Sequence, residues 1–347
     1  MPYSLALALA SAAVAWLLTP LARALALRTG AVDHPGHRRI HATPTPRFGG
    51  LGIAAAVLGV AWAARVLPGP ARELDPLPLL GLTCAAVPIL LLGVYDDRWG
   101  ASPWTKLAVQ ALAALVLVRF GYGVPLLTNP LGPAVVTGAW SVPLTVLWVI
   151  LLTNAINLID GLDGLAAGIV AIACGALWVT ARGHGDFYVM FVAALLLGSC
   201  GGFLWWNRPP ARIFMGDTGS QFLGLTLSAL SLLENRKGTA ALTLLLPLVA
   251  LGVPLADSTL AFVRRLVRGQ HVFRGDAGHI HHRLLDAGLS PRAALLVLWA
   301  LSALFGIAAI VLERVPHRWT LPVVSALAVV LLAVLFTARH RARGRRD

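Results

Sequence analysis

SVPLTVLWVILLTNAINLIDGLDG, residues 141–164, begins as an uncharged apolar segment and ends in four polar side chains spaced three apart. A bilayer core of roughly 30 Å is crossed by about 20 apolar helical residues. The part at 142–158 therefore reads as a membrane span. Asn154, Asn157, Asp160 and Asp163 follow one another at its end. On a continuous helix each three-residue step turns the position by about 60°, spreading the four over half the circumference. A helix that stops near Asp160, with Gly161 and Gly164 turning the backbone into the next span, makes the carboxylates converge at a helix junction. Interhelical hydrogen bonding accounts for the asparagines but leaves the two aspartates unexplained.

Working outward, the same apolar character fills the chain. Uncharged runs of 16 or more residues occupy 1–22, 48–64, 76–95, 120–159, 164–181, 187–207, 218–233, 238–256, 293–312 and 319–338. The 347 residues are 58% hydrophobic and only 12% charged, with a mean hydropathy of +0.77. Soluble chains are about one quarter charged, so an ordinary globular protein is excluded. The run 120–159 is too long for one helix, and its Gly/Pro-rich part, 121–143, reads as an external loop between two spans.

The resulting expectation is an all-α, polytopic membrane protein with spans near 3–27, 48–67, 77–95, 104–120, 142–158, 163–182, 187–206, 217–234, 239–263, 292–312 and 318–338. Eleven spans put the two termini on opposite faces. One face collects 20 of the 28 Lys and Arg residues, including Arg339, Arg341, Arg343, Arg345 and Arg346 of the tail. Under the positive-inside rule that face is cytoplasmic and the N-terminus is outside. The first span is kept as a mature helix, because its arginines, Arg23 and Arg28, follow the apolar run where a signal peptide carries them before it. Residues 1–347 read as a single integral membrane domain, with 339–347 a basic cytoplasmic tail.

The net charge of +13 comes from arginines between the apolar runs, not from a basic patch interleaved with aromatics, so no nucleic acid is expected as a partner. Cys84, Cys174 and Cys200 lie inside apolar runs without metal-ligand spacing and read as small buried hydrophobes.

Ionisable groups in membrane segments are costly and point to function. Besides the 154–164 cluster, three others fall on the predicted cytoplasmic face. Asp96 and Asp97, at the end of the third span, need a compensating cation if both are charged. Asn207 and Phe214-Met-Gly-Asp217-Thr-Gly-Ser220 place Asp217 at a helix N-terminus among backbone N–H groups that favour phosphate oxygens. No Gly-Lys-Ser/Thr follows, so this is no Walker A loop. Gly278-His279-Ile280-His281-His282-Arg283 could ligate zinc, but without cysteine and beside arginines it reads better as a phosphate-binding segment.

Taken in order, Tyr95-Asp96-Asp97, Asn154 through Leu165, Phe214 through Ser220 and His279 through Arg283 resemble the motifs of the polyprenyl-phosphate N-acetylhexosamine-1-phosphate transferases. The first loop, from Val32-Asp33-His34-Pro35 to Arg47-Phe48-Gly49-Gly50, is similar to the WecA-type branch. The resemblance implies a helical membrane bundle that transfers a sugar-1-phosphate from a UDP-N-acetylhexosamine to undecaprenyl or another polyprenyl phosphate, releasing UMP. It implies Mg²⁺, with Mn²⁺ as an alternative, and a bacterial inner-membrane location.

It also implies residue roles. Asp217, with Asn157, would hold the metal; Asp96 and Asp97 would serve the lipid phosphate and the metal, one as general base. Lys106 would lie near the phosphates, Asp160 and Asp163 against the nucleotide, and Asn207 and Phe214 near the uridine. His279, His281, His282 and Arg283 would engage the diphosphate or sugar. The first motif is sometimes written with a third aspartate where this chain has Gly100. A muramoyl-pentapeptide transferase and a secondary transporter are the rival readings; the transporter would carry its acids near mid-span. Oligomeric state, a homodimer included, stays open.

Overall fold

The computed structural model describes residues 2–34, 44–127, 135–235, 252, 255–256, 259–260, 280–315 and 319–343. Eleven helices are found among them: α1 (Pro2–Thr29), α2 (Gly49–Val66), α3 (Pro76–Trp99), α4 (Pro103–Arg119), α5 (Ser141–Ile159), α6 (Leu165–Gly183), α7 (Phe187–Asn207), α8 (Gly216–Asn235), α9 (Ile280–Asp286), α10 (Pro291–Arg314) and α11 (Thr320–Arg343). The protein is an all-α, polytopic membrane protein, and eight of these helices are long and apolar enough to cross a bilayer. Ten of the predicted spans coincide with helices, while 239–263 lies almost wholly outside the described residues. The last helix continues past 338 into the basic tail as far as Arg343. Among the described residues, strand is confined to two short antiparallel pairs, Val32–Asp33 with Thr45–Pro46 and Leu126–Leu127 with Val135–Val136.

Local sequence explains where the helices begin. Asp75 accepts from the backbone N–H of Leu77, Ser102 from Thr105 and Ser290 from Ala293, each followed by proline at the first helical position. Asp186 likewise accepts from Tyr188 and Val189 at 3.1 Å each.

Between lipid and helix there is little hydrophobic gain, so the helices are held by close approach of small residues and by polar contacts. A methyl group at Gly198 or Gly202 of α7 would overlap the backbone of Ala8 or Ala12 in α1. α8 packs against α2, α3 and α5, where Gly50 meets Gly219, Gly93 meets Thr218 and Gly224 meets Thr153. Thr218, Ser220, Gln221, Thr226, Ser228 and Ser231 of α8 are all fully buried. α8 and the 17-residue α4 are absent from the eight apolar spans. For α8 the reason is this inward polar face. Leucines such as Leu91, Leu147 and Leu296 face outward, and Cys84 is exposed with them, contrary to the buried position expected for it; Cys174 and Cys200 are buried.

Short connections set the C-terminal ends of α3, α5 and α7 beside the N-terminal ends of α4, α6 and α8. Those ends carry the polar clusters.

Candidate active site

The centre of the site is the start of α8. Gly216 adopts φ +70°, and its missing side chain is required, because a Cβ would overlap the Arg47 carbonyl and the Asp97 carboxylate. The turn is fixed by backbone bonds to the segment before α2: Phe214 N–H donates to Pro46 O at 2.7 Å, and the Gly49 and Gly50 N–H groups donate to Phe214 O and Met215 O at 2.9 Å.

Asp97 fills the N-terminus of α8. One carboxylate oxygen accepts from Asp217 N–H at 2.8 Å, the other from Thr218 N–H at 3.1 Å and Thr218 Oγ1 at 2.7 Å. The sequence led us to expect these N–H groups to be open to phosphate; a carboxylate from α3 occupies them instead. Asp97 is buried, and both its oxygens are engaged.

Asp96, one residue earlier, points the other way. Its Oδ1 accepts from Ala101 N–H at 2.6 Å, and its Oδ2 pairs with Lys106 Nζ at 2.8 Å. The same ammonium bonds Asp217 Oδ2, so Lys106 bridges carboxylates of α3 and α8. Lys106 thus lies beside the catalytic candidates.

Gln221, one turn below Asp217, donates to Asp217 Oδ2 at 3.3 Å; Gln110, one turn below Lys106, donates to Gln221 Oε1 at 3.4 Å. Asn154 Nδ2 donates to Gln110 Oε1 at 2.7 Å. A chain of amides therefore ties α8, α4 and α5 together beneath the charged groups. Sequence reasoning missed Gln110 and Gln221. Their signal was available: each is a polar residue four positions after a charged one, on the same face of an apolar helix.

Above this floor lies an open cavity of about 940 Å³ lined by Asp97, Asn157, Asp160, Asp163, Asn207, Phe214, Asp217 and His282, among others. Eight of the predicted site residues thus share one chamber. Asp163 and Asn207 also brace it: Asp163 Oδ2 accepts from Ala211 N–H at 2.9 Å, while Asn207 accepts from Gly164 N–H and donates to Ile213 O, both at 2.9 Å. Asp33 and Arg47 of the first loop, joined at 2.6 Å, line it too. Arg283 is half-buried in α9 and is not part of the lining; His279 and the side chain of His281 lie outside the described residues.

Asp160, between α5 and α6, reports the charge balance of the chamber. Burial first, then the carboxylates of Asp217, Asp97 and Asp163, push its pKa well above the usual carboxylate range, opposed by Arg47. Such a chamber has excess negative charge and suits a hard cation. Among the described residues no three His, Cys, Asp or Glu side chains converge tightly enough to hold an ion alone. The donor set still fits Mg²⁺, which takes one or two carboxylates and completes its shell with water and phosphate oxygens. Asn157 donates from Nδ2 to Ser220 Oγ at 2.9 Å, and among the described residues its side-chain Oδ1 accepts no hydrogen bond. Asp217 and Asn157 both line the chamber and carry side-chain oxygens of the kind a hard cation takes.

Residues 79–235, which contain Asp96, Asp97, Lys106, Asn157, Asp160, Asp163, Asn207, Phe214 and Asp217, match the model of glycosyl transferase family 4. The chain is 37% identical over 320 residues to a probable undecaprenyl-phosphate N-acetylglucosaminyl 1-phosphate transferase of Bacillus subtilis, covering 91% of this chain and 86% of that protein. It is 40% identical over 360 residues to a decaprenyl-phosphate N-acetylglucosaminephosphotransferase of Mycobacterium leprae, covering 96% and 90%. With the undecaprenyl-phosphate alpha-N-acetylglucosaminyl 1-phosphate transferase of Escherichia coli K12 it shares 29% over 325 residues, covering 89% and 84%. The chain belongs to the polyprenyl-phosphate N-acetylhexosamine-1-phosphate transferases of glycosyl transferase family 4.

Proposed function

We propose that the protein transfers N-acetylglucosamine 1-phosphate from UDP-N-acetylglucosamine to a polyprenyl phosphate. An oxygen of the lipid phosphate attacks the sugar-bearing phosphorus, the bond from that phosphorus to the bridging oxygen breaks, and UMP leaves. The observation that carries this reading is the Lys106 bridge between Asp96 and Asp217, set where the spans end and the polar chamber opens. A lipid-tailed and a water-soluble substrate can meet only at such a boundary.

Phosphoryl transfer demands little covalent chemistry of the protein and much positioning and charge compensation. Lys106 offers an ammonium at the point where lipid phosphate would arrive, held by two helices. Asp96, which accepts from one backbone N–H and pairs with that ammonium, stands beside Asp217 where the lipid phosphate would arrive; Asp97 is committed to α8. Asp160, Asp163, Asn207 and Phe214 form the wall for the nucleotide, and His282 with Arg283 serve the diphosphate or sugar. Mg²⁺, with Mn²⁺ as alternative, would be held by Asp217 and Asn157; when bound it supplies charge neutralisation of the diphosphate. The arginine-rich face is the cytoplasmic one, with the N-terminus outside and the C-terminus inside.

Membranes containing the protein, given polyprenyl phosphate and Mg²⁺, should release UMP from UDP-N-acetylglucosamine and not from UDP-MurNAc-pentapeptide. Turnover of the second donor alone would move the protein to the muramoyl branch, and turnover of neither would overturn the reading.

A further inference from the structure

A second groove, of about 640 Å³, opens beside the catalytic chamber between the end of α7 and the start of α10. Three arginines, Arg208, Arg212 and Arg292, line its loop side, and Trp205, Leu296 and Trp299 are among the residues on its membrane side. Among the described residues no Asp or Glu lines it. The guanidiniums of Arg208 and Arg212 lie over the rings of Trp205 and Trp206 at 4.4 and 5.8 Å, and Arg292 donates to Pro209 O at 3.3 Å. None of the three has a carboxylate partner among the described residues. Trp205 is 51% exposed and Leu296 61%, both on the outside of the bundle.

We propose that this groove binds an anionic bilayer phospholipid, its headgroup phosphate on the arginines and an acyl chain along the tryptophan and leucine side. Tryptophan at helix ends marks the level of the headgroups, and arginines between span ends at that level are a basic pocket of the kind that recognises anionic lipids. Guanidinium suits phosphate because it donates two parallel hydrogen bonds. The occupant is not the acceptor substrate: Pro209, Pro210 and Arg292 line both spaces and form the partition, and none of the catalytic aspartates reaches the groove. The lipid instead backs the loop at 208–212, whose other side is fixed to the chamber through the Asp163 bond to Ala211. Bilayer composition would therefore act on the wall of the catalytic chamber.

The test is native mass spectrometry of the detergent-purified protein titrated with phosphatidylglycerol or phosphatidylcholine. Each arginine near an anionic surface contributes roughly fivefold in affinity. Wild type should prefer phosphatidylglycerol, and Arg208→Gln/Arg212→Gln should lose about 25-fold in its affinity for that lipid, and with it the preference over phosphatidylcholine, whose choline cation offsets the charge of the same phosphate. Arg208→Lys/Arg212→Lys should retain most of the preference. Equal binding of both lipids by wild type would overturn the proposal without recourse to any variant. So would an unchanged preference in the glutamine variant, or displacement of phosphatidylglycerol by equimolar polyprenyl phosphate, which would make the groove an acceptor site.

Discussion

Asp96 and Asp97 are neighbours in sequence with opposite consequences when neutralised. In Asp97→Asn, one of the two oxygens becomes an NH₂ group facing backbone N–H donors that cannot accept from it. If the amide oxygen keeps the Thr218 side, the Asp217 N–H at 2.8 Å loses its acceptor. A hydrogen bond to a charged group contributes about 1.5–3 kcal/mol, and a carboxylate at a helix N-terminus adds about 0.3–1 kcal/mol through the dipole. The expected loss is about 2–4 kcal/mol. At about 2–4 °C per kcal/mol, the melting temperature should fall by roughly 4–16 °C. Because the start of α8 carries Asp217, transfer should be lost together with stability. Asp96→Asn leaves α8 anchored and leaves Lys106 bonded to Asp217, so its melting temperature should stay within about 2 °C while activity falls at least about 10²-fold, the usual cost of removing a group that compensates charge in the reaction. The measurements are thermal melting in detergent, followed by tryptophan fluorescence, and UMP release in the same preparation. An Asp97→Asn protein as stable as wild type yet inactive would refute the reasoning, since it would give Asp97 a chemical role and not an anchoring one.

Asp217→Asn should abolish transfer while the protein still inserts and melts normally, because an amide is a far weaker ligand for a hard cation than a carboxylate; activity within about tenfold of wild type would reject Asp217 as the metal anchor. Gln221→Leu, which cuts the amide chain at its contact with Asp217, should lower kcat by about 10- to 100-fold, as loss of an outer-shell partner does, and leave KM for the donor nearly unchanged; Gln221→Asn rescue is not expected, because the shorter side chain cannot reach, and a larger effect on KM than on kcat would count against a positioning role. For Asp160, whose folded pKa is raised, the stability present below the unfolded pKa near 3.9 is lost as pH climbs through the folded value. Asp160→Asn should therefore gain melting temperature over wild type as pH is raised in chelator, and a difference that shrinks with rising pH would mean the carboxyl is stabilised as an anion.

What could be read from the sequence was set by periodicity and composition, and what could not was set by partners far apart in the chain. The uncharged runs located nine helices because a span must be long and apolar wherever it packs. The turn at 160–164 was legible because Gly161 and Gly164 sit where a helix has to stop, and Gly164 does take φ +76° just before α6. The fate of Asp97 was not legible. Nothing in Asp96-Asp97 tells which carboxylate faces backbone 120 residues away and which faces a lysine. The floor of amides was overlooked for a related reason: glutamine is a good helix former, so one such residue in an apolar helix reads as tolerated polarity until its partner on another helix is known.

The geometry divides the site into two materials. Asp96, Lys106, Asn157 and Asp217 stand on ends of α3, α4, α5 and α8, which are locked to one another by the Lys106 bridge and by amides one turn deeper. Asp163, Phe214 and His282 belong to loops or to the short α9, where bonds such as Asp163 to Ala211 N–H and Phe214 N–H to Pro46 O tie one loop to another. Groups on packed helices hold position more closely than groups on loops, which suits the part of the site that meets the reacting phosphates. Loop walls can change length and composition without disturbing the helix packing, which suits the part that meets the sugar and the base. It follows that a substitution that unlocks one helix end from another, as argued for Asp97, should cost stability as well as activity, whereas neutralising Asp96 or Asp217 should cost activity alone, and substitutions on the loop wall should shift the preference among UDP-sugars at nearly constant melting temperature.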